Sequence, residues 1–171
     1  TENGMFLKPS VIGSDERYDE EELYREMRAQ YQKFLELTGR KPTHLDSHLY
    51  AHQKFPKVGH AIRRLAEEED LPVRDLATAQ YARTYFEGNF KVKPGESQVD
   101  LKAKCMQLIR KLSGHTVAEL MVHPAFPDEW LMNNSSYNTQ RSMEHSVLTD
   151  PDICEVISQA AIQLATFRDL E

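Results

Sequence analysis

A chain of 171 residues, 40% of them hydrophobic, can bury one substantial core but not two comfortable ones, so a single domain over residues 1–171 is expected. Its 27 acidic residues outnumber 21 basic ones, and the formal charge of -6 excludes the positive footprint that nucleic acid or an anionic membrane surface attracts. No apolar run is long enough to span a bilayer, no charged-then-apolar leader opens the chain, and Cys105 and Cys154, far apart in apolar helical patterns, read as buried free thiols suited to a cytoplasmic protein.

In chain order, acids crowd the first turn of a helix opening after Ser14, and Leu23, Met27, Tyr31, Phe34 and Leu35 recur at helical spacing until Thr38-Gly39 stops them. After Pro42 the run Thr43 to His48 alternates like a short strand, with His44, Asp46 and His48 on one side. Pro56 opens a second helix through Val58, Ala61, Ile62 and Leu65, and "LPVRD" follows as another short strand. The stretch "YARTYFEGNFKVKPGES" lacks clean periodicity and reads as a long functional loop. Leu101, Cys105, Leu108, Ile109 and Leu112 share one helical face that ends at Ser113-Gly114, and a strand from Thr116 to Val122 leads straight into His123. "NNSSYNTQRSMEH" reads as a polar loop, and a last helix starts at Asp150-Pro151 and runs through Ile153, Val156, Ile157 and Ala160 to Leu164. Alternating strands and helices predict an α/β fold with parallel strands. Three strands do not close a barrel, so the pattern is either a small open sheet or part of a β/α barrel whose first strands lie outside this chain.

Chemistry gathers in "THLDSHLYAH". Asp46 and His48 point to the same side of the expected strand, with Cα atoms roughly 6.5 to 7 Å apart, so they can meet at one ion or one can orient the other. His44 lies roughly 13 Å from His48 on a straight strand, too far to share a metal with it. A second histidine, His123, ends an apolar strand where Pro124 turns the chain, and the two suit a metal ligand and a general acid. The residues alone equally allow hydrogen-bonded structural histidines. Phe126 and Trp130 are candidates for stacking on a sugar, or for local packing; Arg74 either fixes a substrate oxygen or a neighbouring carboxylate, or makes a surface ion pair; Arg141 and Glu144, one helical turn apart, are expected to pair with each other. No glycine-rich phosphate loop, G-x-S-x-G elbow, C-x-x-C pair or H-E-x-x-H motif occurs.

The segments "GRKPTHLDSH", "YFEGNF", "MVHPAFPD" and "RSMEHSVLTDP" resemble, in order and spacing, the YdjC-like carbohydrate deacetylases, which include chitooligosaccharide deacetylases. The resemblance runs from about Asp19 to the carboxyl end. It implies a distorted β/α barrel and a divalent metal, Mg²⁺ or Zn²⁺, used to hydrolyse N-acetyl groups of acetylglucosamine-containing oligosaccharides. It also implies His48 as the metal-binding histidine, Asp46 as the aspartate before it, and His123 as the histidine that protonates the leaving amine. Arg74 matches an arginine lining the pocket, with Phe126 and His52 as further substrate-binding candidates. In the histidine-rich run of many relatives, Leu49 and Tyr50 here replace imidazoles. An aspartate pair and a second metal-binding histidine that open the family's chain do not occur in this sequence, and Thr1 to Ser14 looks like the variable segment that follows them, so two or three β/α units are expected to be lacking. On that expectation the chain keeps one of three metal ligands, and an open sheet edge favours self-association into a homo-oligomer. The alternative is a remnant that binds sugar or itself without hydrolysis.

Overall fold

The first helix, α1 (Glu20–Thr38), starts where the Asp19 side chain accepts the Glu22 N–H and stops where Gly39 takes up a left-handed conformation (φ 66). The stop at Thr38-Gly39 is where the sequence puts it, whereas the start lies later than the expected opening after Ser14. The structure, a computed structural model, describes residues 13–16, 18–76, 78 and 81–170. Most of the segment expected to be variable, residues 1–12, lies outside them. The chain groups into two compact units: Thr1–Ala82 with Ala165–Glu171, and Arg83–Leu164.

In the first unit, after the short α2 (Ala51–Lys54), α1 packs on α3 (Pro56–Glu69), which has its proline in the first turn as expected. Tyr31, Leu65 and Leu71 are buried here, packed by Met27, Leu35 and Leu45, and Ile62, Ala66 and Val73 continue the core. Tyr31 donates its hydroxyl to Glu69 at 2.7 Å, satisfying a polar atom at the edge of that core. The two expected strands shrink to one parallel bridge, Leu45 with Val73. Leu45 N–H donates to the Pro72 carbonyl (2.9 Å), and Arg74 N–H donates to the Leu45 carbonyl (3.1 Å). Pairing cannot spread backward, because residue 72 is a proline with no N–H to give. It does not spread forward, because the His52 ring occupies the Arg74 carbonyl and the Asp46 carboxylate takes the Ser47 N–H. His48 accordingly opens a 3-10 turn (His48–Tyr50) instead of ending a strand.

The second unit holds a parallel pair, β1 (Thr84–Glu87) and β2 (Val117–Leu120), in register from Thr84–Val117 to Glu87–Leu120. Between them runs α4 (Gln98–Leu112), opened by a reciprocal cap in which Ser97 and Asp100 satisfy each other's backbone N–H. The chain is therefore mixed α/β, with its extended strands parallel as expected. The stretch expected to be a loop supplies both β1 and Phe90, which is fully buried. The expected polar loop, residues 133–145, begins at the end of α5 (Glu129–Asn134) and includes most of α6 (Thr139–Leu148), which is capped by Asn138. The last helix, α7 (Pro151–Gln159), ends before Leu164, which is left 78% exposed. Phe90, Leu101, Cys105, Ile109, Val147 and Ile153 form the buried cluster, with α4 packed against α6 and α7.

Only one of the two thiols is buried. Cys105 sits in this core, where burial pushes its pKa up to about 11, while Cys154 lies on the outer face of α7 and is exposed. In the native protein a thiol-reactive disulfide reagent is therefore expected to titrate Cys154 rapidly and Cys105 only after unfolding; prompt reaction of both would contradict this packing.

Candidate functional site

Within the first unit, the structure brings Asp46, Ser47, His52 and Arg74 together around the single bridge. Asp46 accepts from the Arg74 guanidinium (2.6 Å) through one carboxylate oxygen and from the Ser47 N–H (2.7 Å) through the other. The contact fits both the fixing of a neighbouring carboxylate and the surface ion pair that the sequence allows for Arg74. With both sides half-exposed, the pair gains little from Coulomb attraction alone and acts by fixing direction.

His52 is buried. Its Nε2 faces the Arg74 carbonyl (2.9 Å), which can only accept, so Nε2 carries the proton and Nδ1 accepts from the Ser47 hydroxyl (2.5 Å). The same hydroxyl accepts the His52 N–H (3.1 Å). Both ring nitrogens are spent on holding the turn after His48. Gly59 lets α3 approach this turn, since a Cβ there would lie 2.7 Å from the His52 carbonyl oxygen. Replacing His52 with alanine is expected to cost about 1–3 kcal/mol, by leaving buried partners unmatched; urea unfolding measures it, and an unchanged midpoint would contradict the anchoring role.

His48 itself is exposed, and the next two residues, Leu49 (φ 53) and Tyr50 (φ 58), are left-handed. Two consecutive non-glycine residues in that region are costly, and such strain collects at functional turns. His44 stacks on Phe167 of the closing 3-10 turn (Phe167–Leu170) at 3.8 Å between ring centres, and Arg74 lies 5.8 Å from the same ring. Sequence reasoning missed Phe167, which is far along the chain in an aperiodic stretch. A cleft of about 230 Å³, lined by Met27, Tyr31, Phe34, His44, Leu45 and Asp46 among others, opens beside the bridge.

In the second unit β2 ends at Leu120, short of the expected Val122, so His123 lies just beyond the strand and not at its end, and Phe126 is 79% exposed with its ring 4.3 Å from that of His145. Trp130, on α5, is 69% exposed. Arg141 and Glu144 do not pair with each other in the way expected. Glu144, fully buried, accepts the His123 N–H (2.5 Å) and the Tyr137 hydroxyl. Arg141 donates to the carbonyls of Tyr137 (2.7 Å) and His123 (3.3 Å). Tyr137 also accepts the Val92 N–H (2.9 Å); burial and the bond to Glu144 push its pKa up to about 12, so it stays a donor.

Among the described residues no group of three His, Cys, Asp or Glu side chains converges to hold a metal. His48 offers one imidazole, while the Asp46 carboxylate is engaged by Arg74 and Ser47, so these residues do not by themselves complete a metal site. Among the described residues no helix is long and apolar enough to cross a membrane.

A family model described as YdjC-like protein matches residues 1–159, starting earlier and ending sooner than the motifs suggest. The chain is 30% identical over 169 residues to Carbohydrate deacetylase 2 of Listeria innocua serovar 6a, covering 99% of this chain and 68% of that protein. It is 34% identical to a Carbohydrate deacetylase of Geobacillus stearothermophilus (98% and 66% covered) and 33% identical to a Chitooligosaccharide deacetylase of Proteus mirabilis (99% and 70%). A solved structure from Enterococcus faecalis V583, named for cellobiose-phosphate cleavage, superposes with a TM-score of 0.78 at 29% identity, covering 99% of this chain and 67% of that one. The chain spans about two thirds of the length of the curated relatives it matches.

Proposed function

We propose, from the premise that this chain belongs to the YdjC-like family, that it is part of a carbohydrate deacetylase, an amide hydrolase acting on N-acetylated oligosaccharides that contain acetylglucosamine. The observation that carries this reading is the match across almost the whole chain to proteins named carbohydrate and chitooligosaccharide deacetylases. The enzyme works in the cytoplasm and has the distorted β/α barrel that the family resemblance implies.

His48 is one ligand of a divalent metal, Mg²⁺ or Zn²⁺, and the other ligands come from the third of the relatives' length to which this chain has no counterpart. When bound, such an ion polarises the acetyl carbonyl and activates water. The chain's own residues do the rest. Arg74 holds the Asp46 carboxylate aimed, ready to take a proton or a substrate hydroxyl. His123 donates a proton to the departing amine, without which the C–N bond would have to expel an amide anion. Phe126 offers an exposed ring face to a sugar.

The test is acetate release from a chitooligosaccharide, with and without added Mg²⁺ or Zn²⁺, by the chain alone and by the chain joined to the amino-terminal part of a relative. One imidazole holds a divalent ion weakly, so the joined protein is expected to bind metal and release acetate, and His48→Ala to lose both. Release by neither form, or release indifferent to His48→Ala, would overturn the proposal. A second reading is favoured by the lone donor at His48: the isolated chain binds the sugar without cleaving it, which titration calorimetry would detect as binding without acetate.

A further inference from the structure

A histidine that moves protons is ordinarily aimed by a hydrogen bond to its second ring nitrogen. His123 has none among the described residues: its Nδ1 is buried and unmatched. What holds this residue is its main chain. Glu144 accepts its N–H at 2.5 Å, Arg141 donates to its carbonyl at 3.3 Å, and Ala125, two residues on, donates its N–H to the Arg141 carbonyl at 3.3 Å. Pro124 between them removes one more freedom from the backbone. The Tyr137 ring meets the imidazole edge-on, 5.9 Å between centres at 71°, and Tyr137 is fixed in turn by Glu144 and by the Val92 N–H.

A fully buried carboxylate is a costly device for fastening a loop. A neutral carbonyl would satisfy one N–H as well. A carboxylate can take two donors at once, here the peptide of His123 and the hydroxyl whose ring flanks the imidazole, so a single group fixes both the backbone and the wall. Two hydrogen bonds converging on one group in a dry site suit a role in which small displacements count.

We infer that Glu144 and Arg141 are positioning residues, gripping the His123 peptide from its two ends so that helix α6 sets the direction of the imidazole. The inference rests on the proposed deacetylase reading for what the imidazole does, and on the geometry alone for what holds it. Spatially it makes the "RSMEHSVL" segment part of the histidine's mounting.

The experiment uses the chain joined to the amino-terminal part of a relative, supplied with Mg²⁺ or Zn²⁺, and compares Glu144→Gln, Glu144→Leu and Arg141→Lys with the unsubstituted joined protein. Two readouts are taken: steady-state acetate release from a chitooligosaccharide, and the imidazole ring signals of His123 by NMR. Glutamine keeps the shape and one acceptor, whereas leucine keeps only the volume. Turnover is therefore expected to fall about 10-fold in Glu144→Gln and about 100-fold in Glu144→Leu, with KM unchanged, because a misplaced proton donor slows chemistry and not binding. The single set of His123 ring signals is expected to split or broaden in the same order, while core amides such as those of Leu101 and Cys105 keep their shifts. Where Glu144→Leu fails to fold, Glu144→Gln and Arg141→Lys carry the comparison. If the joined protein without these substitutions releases no acetate, the deacetylase reading fails, and the ring signals alone decide the positioning role. Folded variants whose His123 signals match the unaltered protein, or whose losses appear in KM alone, overturn the inference.

Discussion

Replacing His123 with alanine is expected to slow acetate release by about 10²–10⁴-fold, the range typical of a lost general acid, in the metal-supplied enzyme. The same substitution is expected to leave the melting temperature within about 2 °C of its original value. Both halves follow from how the residue is mounted. Glu144 and Arg141 bind its backbone, and alanine keeps that N–H and that carbonyl. The ring itself makes one edge-on contact with Tyr137 and leaves Nδ1 unmatched, so its removal costs little packing. Parallel measurements of turnover and thermal unfolding check the prediction. A large loss of stability would mean that the ring supports the fold, and unchanged turnover would remove His123 from the chemistry.

Phe90→Ala is expected to destabilise the second unit by about 3–5 kcal/mol, the usual cost of truncating a buried phenylalanine. Phe90 has no exposed surface and packs in one cluster with Leu101, Cys105, Val147 and Ile153. Truncation would leave a void against three helices whose backbones are tied by their own hydrogen bonds and so relax only partly. Urea unfolding gives the magnitude, and the Cys105 thiol supplies a local reporter, since its reactivity should rise as this core opens. An effect below about 1 kcal/mol would show that the cluster closes over the gap.

The elements that could be read from the sequence are those with local signals. Gly39 ends α1, Pro56 opens α3 and Ser113 caps the end of α4 where the sequence puts them, because caps are chemistry between near neighbours. Elements defined by distant partners stayed hidden. β1 is four residues long, too short to show alternation, and pairs across the whole of α4. Helix α6 buries Glu144 and Val147, so its inward face includes a charge and reads as polar. The strand expected through His48 failed for reasons visible only in three dimensions, with the Arg74 carbonyl already occupied by His52. Cys154 looked buried because its helix is apolar, yet it lies on the outward face. The candidate site divides the same way. Motif spacing singled out Asp46, His48, Arg74 and His123, whereas the bond from Glu144 to the His123 peptide involves a backbone group and spans 21 positions, so no pattern of side-chain types announces it.

Trp130 is the sole tryptophan of the chain, and at 69% exposure it stands in water six residues beyond Pro124. Its emission should therefore lie toward the red in the native state, fall readily to acrylamide quenching, and change little on unfolding. The molecule thus carries its own optical beacon, dark to collapse of the interior and tuned to whatever arrives at the outer rim of the loop that follows His123.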